Sequence, residues 1–255
     1  MNTRSGGQGG GTVASTLWYV DTTDPVSVLK SQVEADPVAA AALAGQLYAD
    51  HDVRPHMVGT LAGCAAPDRD EVYIGCYPGL TVVCTAEAAL VRPTKLPDLL
   101  VRPLASEHTY LVSYDAKLHW GAFAHWERGE FRRSFSSTRV DILENEGLPM
   151  VWERTFWAGE HPVPWRGEDH PEPQSLPFDP PDFADAANAE WLGFQYLTPA
   201  APGQPAPVDL AVCGFTLYPK GQAPEQKQVP MGRPGAATRR KRGIFGWLHG
   251  ADRVV

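Results

Sequence analysis

The chain has 255 residues, of which 43% are hydrophobic and 10% aromatic, which is enough for a packed core and excludes a wholly disordered protein. The formal net charge is −8, but the residues from Pro219 onward carry eight basic and two acidic side chains, a net +6 that leaves −14 on residues 1–218. Binding of nucleic acid by this acidic body is excluded because it depends on neutralising phosphates, whereas a basic end is typical of a segment that binds an acidic partner.

The N-terminal residues 1–14 are rich in glycine, and we expect a disordered tail without the apolar stretch of a secretory signal. No stretch approaches the roughly 18 consecutive apolar residues of a membrane span. The four cysteines lack a CxxC motif and zinc-like spacing, so we expect buried, reduced thiols, no metal and no cofactor, with a Cys76–Cys84 bridge as the less favoured alternative. The sequence therefore predicts a cytoplasmic protein.

The first half of the chain mixes strand and helix signals. Asp24-Pro25 and Asp36-Pro37 each place a capping carboxylate before a proline at the first helical position, which predicts two short helices. Runs of β-branched and aromatic residues predict strands, and a proline-punctuated segment extends from Thr85 to Ser106. The predicted helices cover residues 25–35 and 37–49, and the predicted strands cover 16–20, 53–61, 71–77 and 80–84.

Three strand-like runs over residues 109–115, 118–127 and 130–136, the last two joined at Arg128-Gly129, predict an antiparallel meander. Alternation along the middle strand places His119 and His125 on one face and Trp120 and Trp126 on the other, and we expect the tryptophans to face the core. Six residues of strand span roughly 20 Å, so these two histidines cannot share one metal ion.

The last third of the body completes the predicted fold. Residues 150–159 look like a further strand, and seven prolines between 160 and 181 indicate an irregular segment. A helix over 182–194 and a strand over 208–218 follow. Early helices, a central meander and a late helix predict a single α+β domain over residues 15–218, with a mixed, largely antiparallel sheet.

Acidic residues in "DILENEG" and "WAGEHP" supply one candidate site, formed by Glu144, Glu146 and Glu160. Paired carboxylates perform acid/base chemistry when a pocket separates their pKa values, so this group favours a hydrolase-type enzyme. The competing interpretation is that these residues form turns and that the nearby aromatic residues cover a core. The aromatic residues that would line such a cleft are Trp152, Phe156, Trp157 and Trp165.

The C-terminal sequence "RRKRGIFGWLHG" supplies the other candidate site, after a flexible proline- and glycine-rich basic linker over residues 219–242. A helical turn within the motif at 243–255 would gather its large apolar side chains on one face, next to the basic run. The basic residues are Arg239, Arg240, Lys241 and Arg242, and the apolar ones are Ile244, Phe245, Trp247 and Leu248.

This basic and aromatic tail suits a linear motif that inserts its rings into a groove of a protein partner. An anionic membrane surface is the second interpretation, and packing of the motif against the protein's own body is the third. The leading hypothesis is therefore a non-enzymatic binding or scaffold protein whose tail docks to a partner, and the hydrolase-type enzyme is the alternative.

Several sequence segments occur together in a fixed order. They include "LWYVDTTDPVSVL", "VYIGCYPGLTVVCT", "HWGAFAHWERGEFRRSFS" and "LPFDPPDFADAANAEWLGF". In this combination the chain resembles an uncharacterised family of actinobacterial proteins over most of residues 16–218. The resemblance implies a single α/β-type domain and an actinobacterial source, and it assigns no chemistry to any residue.

Overall fold

Nine strands form one sheet in the computed structural model, which describes residues 13–31, 34–163 and 174–224. In the order β2-β9-β3-β4-β1-β5-β6-β7-β8, every neighbouring pair is antiparallel. The strands are β1 (Ala14–Val20), β2 (His51–Thr60), β3 (Glu71–Tyr77), β4 (Leu80–Thr85), β5 (His108–Asp115), β6 (Trp120–Glu127), β7 (Glu130–Ser137), β8 (Ile142–Gly147) and β9 (Ala211–Pro219).

The α+β class and the central meander are confirmed, but the mixed sheet is wrong, because the described strands contain no parallel pair. The chain leaves β1 through two helices and reaches the far edge of the sheet at β2, and the strands that later pair with β1, β4 and β5, are both antiparallel to it. Described residues up to Ala223 form one compact unit.

Six α-helices accompany the sheet in the described ranges. The predicted caps of the first two are confirmed, since the Asp24 carboxylate accepts from Ser27 N and the Asp36 carboxylate accepts from Val38 N and Ala39 N. None of the six combines the length and the apolar character needed to cross a membrane. They are α1 (Pro25–Lys30), α2 (Pro37–Leu47), α3 (Leu61–Cys64), α4 (Asp98–Val101), α5 (Glu153–Trp157) and α6 (Pro180–Leu192).

Both early helices are shorter than predicted. The helix expected over 25–35 ends at Lys30, where Ser31 donates its hydroxyl to the Val28 carbonyl at 2.6 Å. The helix expected over 37–49 ends at Leu47, because Tyr48 leaves the helical conformation and its hydroxyl lies 2.8 Å from Thr85 Oγ1 on β4. In each case a polar side chain stops a segment whose composition would continue the helix.

Two elements near the C-terminal side of the meander differ from their predictions. The segment over 150–159, expected as a strand, contains α5, because Glu153 and Phe156 lie one turn apart and are both buried. Residues 142–147, expected as turn formers, form the edge strand β8. Its side chains are mostly exposed and polar, so the alternation that predicts a half-buried strand is missing.

The sheet is buried on both faces. Leu17 and Tyr19 of β1 pack with α2, whereas Trp18 and Val20 point the other way into a core that includes Leu192 at the end of α6. The expectation for β6 is confirmed on one side, since Trp126 lies in the core that also contains Leu100 and Val101 of α4. The opposite side is equally buried, because Phe123, Phe135 and Phe183 form an aromatic core between β6, β7 and α6.

Close contact between α6 and β6 depends on a glycine. A Cβ atom at Gly121 would overlap the Pro180 carbonyl oxygen, so the first turn of α6 rests directly on the strand backbone. The helix then crosses β5 and β6 and ends at Gly193, whose φ of 75° suits a helix C-terminus. The glycine at 121 thereby fixes how closely the N-terminal end of α6 approaches the sheet.

A buried ion pair connects α5 to the end of the sheet. Arg133 of β7 and Glu153 of α5 are 1% and 0% exposed, and two bonds of 2.9 and 2.7 Å join the guanidinium to the carboxylate. The guanidinium also donates to the carbonyls of Ser134 and Glu146 and to Asn145 Oδ1. The charges are thus fully hydrogen-bonded, which is the condition under which burial of an ion pair is tolerated.

We expect Glu153→Gln to lower the free energy of unfolding by about 3–5 kcal/mol, because it leaves the Arg133 charge buried without its counter-ion. Urea denaturation at pH 7 measures the change. Arg132→Gln, which removes a surface ion pair with Glu127 two strands from the edge, is the matched control and should cost less than about 1 kcal/mol. Equal losses for the two variants would show that the buried pair has no special structural role.

Candidate functional site

A cleft of about 540 Å³ opens where β1 and β5 meet the end of α6. Its lining is mainly aromatic and apolar, with hydroxyl, imidazole and carboxylate groups among the apolar surfaces, and we call it the aromatic cleft. A volume of this size is in the range of small-molecule sites. The lining residues are Val20, Thr22, Thr23, Pro25, His108, Tyr110, Met150, Val151, Trp152, Glu190 and Trp191.

Parallel rings form one surface of the aromatic cleft. His108 and Tyr110 are two residues apart on β5 and therefore lie on the same face of the strand. Their rings are parallel to within 12°, with centroids 5.6 Å apart. Trp191, from the last turn of α6, stacks on Tyr110 at 4.4 Å and 12°. Helix and strand therefore hold three flat rings in nearly one orientation, and all three residues line the cleft.

A second histidine lies beneath this ring surface. His125 on β6 stands opposite Tyr110 in the antiparallel register, and its Nε2 atom lies 3.2 Å from Nδ1 of His108. The other ring nitrogen of His125, Nδ1, is buried and has no hydrogen-bond partner among the described residues. One imidazole must donate to the other, so the pair couples the half-buried His125 ring to the His108 ring in the cleft.

Burial, followed by the neighbouring His108, lowers the pKa of His125 from 6.5 to about 4. At pH 7 His125 is therefore neutral and can exchange a hydrogen bond with His108 without carrying a charge. Burial likewise raises the pKa of the Tyr110 hydroxyl to about 12, so this group remains protonated and available as a donor. The Tyr110 hydroxyl therefore adds a neutral donor to the ring surface.

Close contacts hold together the wall formed by the segment after β1, by α1 and by the end of α6. Asp21, which follows β1, accepts a 2.7 Å hydrogen bond from the backbone N–H of Glu107 and joins the end of β1 to the start of β5. A Cβ atom at Gly193 would lie 2.6 Å from Val26 Cγ2, so α1 packs tightly against the C-terminal end of α6. These contacts fix Thr22 and Thr23 relative to Trp191.

The third wall consists of Met150, Val151 and Trp152, immediately before α5. The Glu153 carboxylate that binds Arg133 also accepts a 2.9 Å hydrogen bond from Met150 N. The Trp152 ring packs against Phe123 and Phe183, with centroids 5.4 and 5.3 Å away. This wall is therefore held by the buried ion pair on one side and by the aromatic core on the other.

The predicted acidic residues lie elsewhere. Glu144 is 8% exposed, and its carboxylate accepts from Thr94 N, Thr94 Oγ1 and Ser134 Oγ at 3.0, 2.6 and 2.6 Å, so its oxygens are committed to the fold. Glu146 and Glu160 are exposed, and none of the three lines the aromatic cleft. Of their predicted aromatic companions, Trp152 lies in the cleft wall and Trp165 lies outside the described residues.

The remaining candidate residues of the sequence, His119 and the four cysteines, have structural contacts or are free thiols. His119, just before β6 with a φ of 48°, contacts the Asp179 carboxylate at 3.0 Å, well separated along the strand from His125. All four cysteines are free thiols, and burial raises the pKa of Cys76 to about 11. Within residues 13–31, 34–163 and 174–224, no group of three His, Cys, Asp or Glu side chains is arranged to hold a metal ion.

The basic and aromatic tail residues lie outside the described residues. These are Arg239, Arg240, Lys241, Arg242, Ile244, Phe245, Trp247 and Leu248.

The sequence interpretation did not identify His108, Tyr110 or Trp191 as a site. Two signals were present: the His-x-Tyr spacing puts both rings on one face of β5, and His125 faces the same way on the next strand of the meander. Nothing in the sequence placed the end of α6 over these rings. That contact depends on Gly121 and Gly193, which act through tertiary packing.

The chain belongs to a family of unknown function (DUF6928), which matches residues 14–215. The family resemblance seen over residues 16–218 is confirmed, whereas the actinobacterial source stays a prediction. Comparison with curated proteins and with solved structures gave no match.

The low pKa of His125 predicts a loss of stability in acid. The ring binds a proton with a pKa of about 4 in the folded state and 6.5 when unfolded, so the unfolded state is favoured progressively as pH falls from 6.5 to 4. Between pH 7 and 5 we expect the natural chain to lose about 1–2 kcal/mol more stability than His125→Gln. Urea denaturation at both pH values measures this difference.

His56→Gln, which removes an exposed histidine on the edge strand β2, is the matched control and should keep the acid sensitivity of the natural chain. An identical pH dependence for His125→Gln and the natural chain would contradict the assignment of this sensitivity to His125.

Proposed function

We propose that this member of a family of unknown function is a binding protein whose aromatic cleft holds a flat, largely apolar ligand with a hydrogen-bonding group. The parallel stack of Tyr110 and Trp191, extended by His108, is the observation that carries the proposal. Aromatic rings held parallel present a planar, apolar surface, and a flat ligand gains most contact by lying against such a surface.

Polar groups in the lining would orient the ligand. His108 contributes a ring nitrogen, Thr22 and Thr23 contribute hydroxyls, and Glu190 contributes a carboxylate at the exposed end of α6. A few polar groups in a mainly apolar lining are typical of small-molecule sites, in which apolar contact supplies affinity and hydrogen bonds supply specificity. The lining therefore favours a ligand with one or two donor or acceptor groups at its edge.

Binding is favoured over the hydrolase-type alternative by the positions of the carboxylates. Glu144 uses its oxygens in three hydrogen bonds within the fold, and Glu146 and Glu160 do not reach the aromatic cleft. A pair of carboxylates in one pocket, which acid/base hydrolysis requires, is thus not formed by these three residues.

A second binding function is supported by the charge distribution of the sequence. Residues from Pro219 onward carry +6 and the rest of the chain −14, and Arg239–Arg242 directly precede the apolar motif that contains Phe245 and Trp247. Opposite charges steer association, and aromatic residues supply the anchoring contacts of small interfaces. We infer that this tail docks to a protein partner, with an anionic membrane surface as the competing target.

The cleft is tested with 2-naphthol, a flat bicyclic probe with one hydroxyl, against decahydro-2-naphthol, which has the same skeleton without planarity. We expect the flat probe to bind more tightly in calorimetric titration. Trp191→Leu should weaken its binding by about three- to tenfold, because the variant removes a stacking surface.

Trp157→Leu is the matched control, since it removes a partly exposed tryptophan of α5 outside the cleft and should leave the affinity unchanged. Equal affinity for the flat and saturated probes, or an unaltered affinity in Trp191→Leu, would contradict binding by stacking.

The tail is tested by comparing the full chain with a chain lacking residues 239–255. We expect an acidic partner, first captured from lysate and then purified, to bind the full chain at least about tenfold more tightly, because the deletion removes both the charges and the anchors. Co-sedimentation with phosphatidylserine vesicles is measured for both chains. Tail-dependent binding to vesicles alone would support the membrane surface, and identical binding of the two chains would exclude docking by the tail.

A further inference from the structure

We propose that a second cavity, on the opposite face of β5 from the aromatic cleft, binds an oxyanion group of a small ligand, a phosphate or a carboxylate, through Arg102 and Ser106. The cavity has a volume of about 560 Å³ and lies between the segment over residues 101–107 and the turn at Arg128-Gly129. It shares no lining residue with the aromatic cleft.

Alternation along the start of β5 separates the two cavities. Glu107 and Thr109 line the second cavity, whereas His108 and Tyr110 line the aromatic cleft. The hydroxyl of Thr109 is committed to the Val101 carbonyl at 3.0 Å, so it contributes to the frame of the cavity and not to a ligand. The groups left for a ligand come from the segment after α4 and from the turn between β6 and β7.

The stem of the Arg102 side chain packs against the turn at Gly129. Arg102 follows the last residue of α4, and its side chain lies so closely over Gly129 that a Cβ atom there would overlap the arginine Cδ. Within the described ranges, its guanidinium forms no ion pair with an acidic side chain. The residue is exposed at the cavity, and its planar guanidinium is suited to bind a carboxylate or a phosphate with two hydrogen bonds.

Ser106 supplies an independent sign of a missing partner. It is 6% exposed and lines the same cavity, and its Oγ atom is buried without a hydrogen-bond partner among the described residues. Buried hydroxyls are normally hydrogen-bonded, because leaving one without a partner costs free energy. Once turned towards the cavity, this hydroxyl would donate to an oxygen of a ligand that Arg102 also binds.

The turn that faces Arg102 carries a second guanidinium. Arg128 has a φ of 51° and Gly129 a φ of 77°, as expected for the two-residue turn of a β-hairpin. The Arg128 side chain, which is exposed, binds the Glu107 carboxylate through two bonds of 3.0 and 2.7 Å. Two arginines and one glutamate leave a net charge of +1 around the cavity, which favours an anionic group.

Glu107 is the natural competitor for that anionic group. Its carboxylate occupies Arg128 and repels an incoming anion, so its removal should strengthen binding at the cavity. This expectation has the opposite sign to that for Arg102, and the two variants together distinguish a specific site from general attraction to positive charge. The inference is independent of the aromatic cleft, and either proposal can fail alone.

The experiment is an NMR titration of the full chain with sodium phosphate and, separately, with sodium acetate, at constant ionic strength maintained with sodium chloride. We expect saturable shifts of the backbone amides at residues 102–109 and 128–129. Saturation by phosphate alone identifies a phosphate site, and saturation by acetate alone identifies a carboxylate site. Shifts that grow without saturation in both titrations would mean non-specific ion binding and would overturn the proposal.

Variants test the assignment of the groups. Arg102→Gln should weaken binding by about tenfold or more and Ser106→Ala by about three- to tenfold, reflecting a charged and a neutral hydrogen bond. Glu107→Gln should tighten binding. Arg69→Gln, an exposed arginine in the segment before β3 and outside the cavity, should leave the affinity unchanged. Unaltered affinity in both Arg102→Gln and Ser106→Ala, or weaker binding in Glu107→Gln, would overturn the proposal.

Discussion

The buried pair of Arg133 and Glu153 is the constraint on which the half of the sheet from β5 to β8 depends. A charge without a partner in this interior would be unfavourable by several kcal/mol, so the last strands of the sheet and α5 must come together for either residue to be buried. The same carboxylate binds Met150 N and thereby places the wall that ends in Trp152. Folding of the sheet edge and formation of the cleft are consequently one process.

Burial on both faces explains where a ligand can reach the sheet. Helix α2 and the segments around α4 cover one face, and α6 covers the other, so most strand residues are inaccessible to solvent. A ligand can reach the strands only where these covering helices and segments end. The aromatic cleft lies at the last turn of α6, and the second cavity lies beside the turn that follows β6. Both are at the same end of the β5-β6 hairpin, opposite the tight contact of Pro180 with Gly121.

Much of the fold could be predicted from local sequence, whereas the site could not. The Asp-Pro pairs, the Pro78-Gly79 turn and the Arg128-Gly129 turn act within a few residues, so they identify the early helices and the hairpins. Strand β8 escaped prediction because an exposed edge strand lacks an apolar alternation.

The segment around Trp152 and Phe156 looked like a strand because it is aromatic and apolar, yet a buried carboxylate in its middle requires the helix that aims Glu153 at Arg133. For the site, the sequence predicted carboxylates because of their acid/base chemistry. One of them, Glu144, accepts three hydrogen bonds from residues that are distant in sequence, which only the tertiary structure reveals. Trp191 contacts Tyr110, and through it the His108 ring, although more than 80 residues separate Trp191 from the other two in sequence. A local sequence pattern cannot predict such a contact.

Strand β5 serves both cavities because consecutive side chains point to opposite faces, and this limits how the chain can vary in length. Loss or gain of a single residue in this strand would exchange its two sets of side chains, so that Glu107 and Thr109 would face α6 while His108 and Tyr110 would face the arginines. A change of two residues preserves the faces. Natural relatives that keep both cavities should therefore differ in length in the loops before and after β5, or by an even number of residues within it.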